Sequence, residues 1–197
     1  MREMLKLFLV VTLFGAISGG LLAGVRAGTK ERIEYQQIKF VKGPAVLEIL
    51  KGCSNDPLAT RFKIQDGKEE RSFFVGVFDG KPNTVAFESS GKGYGGDIGV
   101  VVAVNIDNDQ IVGVGVTTHR ETPGLGSRAK TDPRFAAQFK GQPVMEPFKV
   151  KSDGGKIDAL SGATVTSRGV VGGVVASGEI YKRLKFNIAE KMKSIKS

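Results

Sequence analysis

"DIGVVVAVNIDNDQIVGVGVTT", residues 97–118, sets two β-rich runs on either side of the polar segment "DND" (107–109). Val and Ile in short runs fit a pleated surface, and Asp-Asn-Asp is turn chemistry, so the stretch predicts two antiparallel strands over 97–106 and 110–118. Upstream, "FFVGVF" (73–78) and "TVAFES" (84–89) flank "DGKPN" and extend the same pattern to a four-strand meander. Downstream, a helix is predicted from Pro133 to Phe139, with proline at its first turn. A strand "PFKVKS" (147–152) and a glycine pair, Gly154-Gly155, then lead to a long final helix beginning near Thr166. Strands followed by a covering helix define an α+β domain with an antiparallel or mixed sheet packed by helices.

The N-terminal side is different in kind. "LFLVVTLFGAISGGLLAGV" (7–25) carries no charge and no proline. At about 1.5 Å per residue it nearly crosses a hydrocarbon core of roughly 30 Å, and it reads as one transmembrane helix. A cleaved signal peptide is the competing reading, because Arg2 and Lys6 precede the run and "GVRAG" (24–28) resembles a cleavage site. The run is longer than the usual apolar region of about 7–15 residues, however, and Arg26 falls inside that motif. Gly15/Gly19 and Gly20/Gly24 are small-residue pairs of the kind that let a neighbouring membrane helix approach. Positive charge does not choose a side: Arg2 and Lys6 flank one end, and Arg26, Lys30 and Arg32 the other. Residues 26–43 are polar and mixed in charge, as in a linker or helix extension, and a short helix follows Pro44 in "AVLEILKG" (45–52). The expected organisation is an anchor over 1–26, a juxtamembrane linker over 27–43 and a folded domain over 44–197.

Composition narrows the function. With 197 residues there is room for one ordinary core and an appendage. The single cysteine, Cys53, excludes an internal disulfide, a Cys-ligated iron–sulfur cluster and the C-x-x-C-H haem signature. A net charge of +9 comes with no Trp and no recognisable nucleic-acid motif, so a nucleic-acid partner is not indicated. Much of the excess sits at Lys182, Arg183, Lys185, Lys191, Lys193 and Lys196. That cluster reads as a solvated helix end, with contact to anionic lipid heads or an acidic partner as the alternative. No metal-ligand spacing appears.

Three segments hold candidate chemistry. In "DALSGATVTSRGVVGG" (158–173), a helix start leaves unpaired N–H groups at the positive end of the helix dipole, a place for a phosphate. Thr166 or Ser167 acting as a plain helix cap is the ordinary alternative. Gly169, Gly172 and Gly173 each cost roughly 1 kcal/mol against Ala inside a helix. Yet Val170, Val171, Val174, Val175, Gly178 and Tyr181 still form an apolar stripe, so something must approach the glycine face, either a strand or a flat ligand. "HRETPGLGSRA" (119–129) follows a strand, cannot continue it through Pro123, and contains the sole histidine, which reads as an ordinary loop residue. "GKGYGGDIG" (91–99) is a glycine-rich turn entering a strand, weak by itself as a nucleotide fingerprint. Three such loops at element ends could converge on a planar ligand with a phosphate tail.

In this order behind one anchor, "GKGYGGDIGVVVAVNID", "HRETPGLGSRA" and "DALSGATVTSRGVV" resemble the RnfG family, the FMN-binding subunits of the Rnf electron-transport complex, related to the C-type subunits of the sodium-pumping NADH:quinone reductase. The resemblance covers nearly the whole chain. Its sharpest element, D-x-x-S-G-A-T from Asp158 to Thr164, looks like the signal at which a flavin transferase moves FMN from FAD onto the threonine as a phosphoester. The resemblance implies covalent FMN on Thr164, a narrow turn of Ser161, Gly162 and Ala163 presenting it, and Asp158 read by the transferase. Thr166 and the helix N-terminus would receive the phosphate. Glu121, Thr122, Leu125 and Gly126 would lie by the flavin ring, with Tyr94 as further wall. It further implies an extracytoplasmic domain on a single-pass anchor in the cell membrane. Its partners would be multi-spanning subunits of a complex that couples ferredoxin:NAD electron transfer to Na⁺ or H⁺ movement. The shorter length suits the Rnf family better than its quinone-reductase relative. An anchored flavin domain with a sensory or scaffolding role, and a cofactor-free structural domain, are the alternatives of other classes.

Overall fold

The computed structural model describes residues 1–195, so Lys196 of the basic cluster lies outside the described residues. The chain divides into two compact units, Met1–Ile38 and the part from Lys39 onward. The first is one helix, α1 (Arg2–Gln36), the one helix among the described residues long and apolar enough to cross a membrane. Its large apolar side chains point outward all round, as lipid would require of a spanning segment. Helical backbone continues beyond the apolar run through the segment predicted as polar, with a π-helical stretch at Gln37–Lys42.

The second unit is built on five antiparallel strands in sequence order: β1 (Arg61–Asp66), β2 (Glu69–Phe78), β3 (Lys81–Lys92), β4 (Asp97–Asn105) and β5 (Gln110–Val116). The sheet is wholly antiparallel. Sequence pattern does not signal β1, because it is a mostly exposed edge strand in which Ile64 alone is buried. β4 is buried from Ile98 through Val104, with both faces covered.

One cover is α2 (Gly43–Ile49), which packs on β4 and β5. Ile49 lies over Gly113 and Gly115; a Cβ at Gly113 would come within 2.7 Å of the Ile49 Cγ2 methyl. Between β5 and the final helix run two short helices, α3 (Arg128–Thr131) and α4 (Pro133–Ala137), the latter capped by Asp132, which accepts from the Arg134 N–H at 3.1 Å. The other cover is that final helix, α5 (Thr164–Ser194), 31 residues long and laid across β3 and β4. Its Val170, Val171 and Val174 join Phe73, Phe87 and Val102 of the sheet in the main core.

Three expectations need correction. "PFKVKS" is not a strand: Val150 makes a single bridge to Ile157, and Lys151–Asp153 turn in a 3₁₀ helix. The final helix starts at Thr164, two residues before the expected point. The basic end of that helix is only partly a solvated face. Arg183 binds Asp66 at 2.7 Å and Lys185 binds Asp109 at 2.6 Å, so two of the cations tie α5 to hairpin turns. Arg183 and then Arg71 hold the Asp66 carboxyl down to about 2 against its partial burial.

The glycine face of α5 meets a strand. A Cβ on Gly91 would collide with the Gly169 carbonyl oxygen, and one on Gly169 would lie 2.8 Å from the Lys92 carbonyl oxygen and 2.9 Å from the Gly93 nitrogen. Ser89 Oγ adds a cross-link, donating to the Gly173 carbonyl at 2.6 Å. Gly172, one step round the helix, faces open space. Gly169→Ala should therefore destabilise the protein by about 1–3 kcal/mol through overpacking. Gly172→Ala should be neutral or stabilise by up to about 1 kcal/mol. Urea unfolding of the two variants side by side measures the contrast.

Candidate functional site

The end of α5 nearest the β3–β4 loop carries the candidate site. Leu160 to Ala163 form a turn closed by the Ala163 N–H donating to the Leu160 carbonyl at 2.9 Å, with Gly162 in its third position at φ +76°. That φ is the left-handed conformation that glycine adopts without steric cost. Among the described residues no side chain caps α5, and the Ser167 N–H is the first to find its helical partner, the Ala163 carbonyl at 3.0 Å. The amides of residues 164–166 are thus left at the positive end of a long helix.

The hydroxyls of this segment have different fates. Ser167 Oγ accepts from the Leu160 N–H and donates to the Ala163 carbonyl, both at 2.9 Å, which makes it a buried brace of the turn. Thr166 is also buried, and its hydroxyl donates to Glu121 Oε2. Neither serves as the cap that the sequence allowed. Among the described residues the Thr164 hydroxyl has no hydrogen-bond partner, and it stands half-buried at the first helical position. Ser161 is exposed on the turn.

Glu121 gathers the three segments. It is 6% exposed, and its Oε1 accepts from the Gly95 N–H at 2.8 Å while Oε2 takes the Thr166 hydroxyl. Its own N–H donates to His119 Nδ1 at 3.3 Å. Burial pushes the carboxyl up, but the Thr166 hydroxyl and the Gly95 and Tyr94 amides together outweigh burial and hold it below its ordinary value. The neighbouring glycines make room for this carboxylate: a Cβ on Gly126 would lie 2.7 Å from both Glu121 Cβ and Thr166 Oγ1, and one on Gly93 would strike Glu121 Oε1.

Around these residues lies a cavity of about 530 Å³, in the range of small-molecule and cofactor sites. Its walls bring together Tyr94; Glu121, Thr122, Leu125 and Gly126; and Gly162, Ala163, Thr164 and Thr166. Val165 completes the lining, a residue that no sequence signal marks. Ser161 lies outside the lining. Asp158 is also outside: its backbone is held by Gln138 at 2.6 and 3.1 Å, while its carboxylate projects to solvent beside Lys151 Nζ at 2.8 Å. Exposed Tyr94, Leu125 and Val165 supply apolar surface, and the helix amides supply an anion site. A planar ring with a phosphate tail fits this combination.

The sheet, the long covering helix and the loop-built cavity define a flavin-binding class of protein: residues 93–177 match the FMN-binding domain family. The chain belongs to the family of G-type subunits of ion-translocating oxidoreductase complexes. It is 34% identical to the Pseudomonas aeruginosa member, over 86% of this chain and 85% of the relative. It is likewise 34% identical to the Vibrio cholerae member, over 83% of each chain, and 32% identical to that of Methanosarcina acetivorans, over 86% of this chain and 90% of the relative. Among solved structures, the C-type subunit of the Na⁺-translocating NADH-quinone reductase of Parabacteroides distasonis is similar, at 25% identity and TM-score 0.51 over 70% of this chain and 74% of that one. Shewanella oneidensis NqrC is similar at 27% identity and TM-score 0.52, over 73% and 72%.

Replacing Glu121 tests its structural part. A carboxyl whose folded pKa is depressed stabilises the fold above the unfolded value, near 4.5, and that contribution disappears as pH falls through the folded value. Glu121→Gln should therefore cost about 1–3 kcal/mol at neutral pH by weakening charge-assisted hydrogen bonds. The gap to the parent should close as the pH is taken below 4.5, as followed by urea unfolding at a series of pH values.

Proposed function

We propose that the protein is a membrane-anchored electron carrier holding FMN as a phosphoester on Thr164, within an ion-translocating oxidoreductase complex. The observation that carries this reading is the selective freedom of one hydroxyl. Of the three hydroxyl residues at the start of α5, Thr166 and Ser167 are committed to Glu121 and to the turn, whereas Thr164 is unpartnered among the described residues and stands on the cavity wall. Attachment exchanges the phosphoanhydride of FAD for a phosphoester, with AMP as the leaving group. Thr164 Oγ bonds to the phosphorus of the FMN half of FAD, the bond to AMP breaks, and the hydroxyl proton passes to a base of a flavin transferase. The amides of residues 164–166 then stand where the phosphate charge is best placed. Leu125, Val165 and Tyr94 offer the ring apolar surface, and the covalent link prevents loss of the group.

When bound, FMN supplies the acceptance and release of one or two electrons, while the chain holds and orients it and tunes its potential. Asp158, outside the cavity and steadied by Gln138, is the residue left available for a transferase to read. Helix α1 serves as a single-pass anchor in the cell membrane with the folded unit on the extracytoplasmic side. Multi-spanning subunits of the complex are the partners, and ferredoxin:NAD electron transfer coupled to Na⁺ or H⁺ movement is the overall reaction. The division into an anchor over 1–26, a juxtamembrane segment over 27–43 and a folded domain over 44–197 belongs to the same reading.

Co-expression with a flavin transferase should add one FMN-sized increment to the Thr164 peptide, lost in Thr164→Val, by intact and peptide mass spectrometry. An unmodified peptide beside a demonstrably active transferase would refute the linkage. Asp158→Asn should leave the unfolding midpoint unchanged, because its pair with Lys151 is solvent-exposed, yet lower the modified fraction severalfold in the same experiment.

A further inference from the structure

Glu121 brings more to the cavity than a contact between loop and helix. Taking a charge out of water is costly unless hydrogen bonds hold it. Here a carboxylate is buried on the wall of the cavity, with the Gly95 amide on one oxygen and the Thr166 hydroxyl on the other. Its sequence neighbours are His119, whose Nδ1 receives the Glu121 N–H, and the exposed Arg120. Among the described residues neither makes an ion pair with the Glu121 carboxylate, so its charge is stabilised by dipoles and not cancelled by a paired cation. A sphere of the cavity's 530 Å³ is about 10 Å across, so any group filling it lies within a distance over which a buried charge is poorly screened.

We propose that Glu121 is the positioning charge that sets the reduction potential of the redox group in this cavity, holding it low by opposing the arrival of electrons. The inference rests on the reading of the cavity as the FMN site. The same carboxylate fixes the glycine-rich loop and the start of α5, so one side chain both assembles the walls and biases the group they enclose. Its effect is electrostatic: adding negative charge to the ring is disfavoured beside a fixed anion.

Two substitutions separate charge from shape. Glu121→Gln keeps the length of the side chain and removes the charge; Glu121→Asp keeps the charge and shortens the reach. Full-length protein, flavinylated by co-expression and purified in detergent, is titrated with dithionite against redox dyes at one pH, with the flavin spectrum as readout. The Gln variant should titrate at a clearly more positive potential than the parent, while the Asp variant should stay nearer the parent than Gln does. A Gln potential equal to the parent's, or an Asp shift as large as that of Gln, overturns the inference while leaving the flavin reading intact. Parent protein without flavin after exposure to an active transferase overturns the reading of the cavity, and this inference with it.

Discussion

The approach of α5 to β3 without intervening side chains is the constraint on which the rest of the structure depends. Gly91 on the strand and Gly169 on the helix bring two backbones together at a separation that no Cβ would allow, and a Cβ on Gly173 would press on the Val100 side chain at 2.7 Å. Three glycines inside or against a helix are locally unfavourable, and the burial of Val170, Val171 and Val174 on the adjoining face offsets that cost. The outcome is positional. The first turn of α5 is brought beside the loop that follows β3, and the cavity exists because the two ends meet.

Once those ends are adjacent, a polar residue has to reconcile them. Glu121 does this by accepting from one loop and from the first helical turn, in a space kept clear by Gly93 and Gly126. Its effect on the neighbouring hydroxyls is as important as its effect on the loops. It engages Thr166, whereas among the described residues the Thr164 hydroxyl has no hydrogen-bond partner, although a single residue separates the two threonines. The two threonine hydroxyls at this end of the helix therefore differ in hydrogen-bond commitment.

Much of the fold is legible because its signals are local. The Val-rich runs over 97–106 and 110–118, separated by Asp-Asn-Asp, specify a hairpin from their own composition, and the sheet is the meander they predict. β1 is not legible: "RFKIQD" buries little, and its strand character comes from pairing with β2. "PFKVKS" misleads for the converse reason, since its apolar alternation seats Phe148 and Val150 in the core without a neighbouring strand to complete a ladder. At the candidate site, motif spacing locates the helix start and the loops that the structure draws together. What it does not disclose is which hydroxyls are occupied. That depends on Glu121 reaching a threonine 45 positions away, a relation with no signature in either segment.

The cavity's composite origin also imposes an order on events. Its walls come from three segments separated by strands β4 and β5 and by the short helices, and the last of them is the N-terminal turn of α5. The neighbouring-strand contacts of the meander close over short stretches of chain and can form early, whereas docking of α5 onto β3 joins residues far apart in sequence. A chain in which the sheet has formed but the helix has not docked has every lining residue but not the cavity they line. Completion of the tertiary structure is therefore what turns three separate segments into one cavity lining, so the capacity to hold a ligand there reports that folding has reached its end.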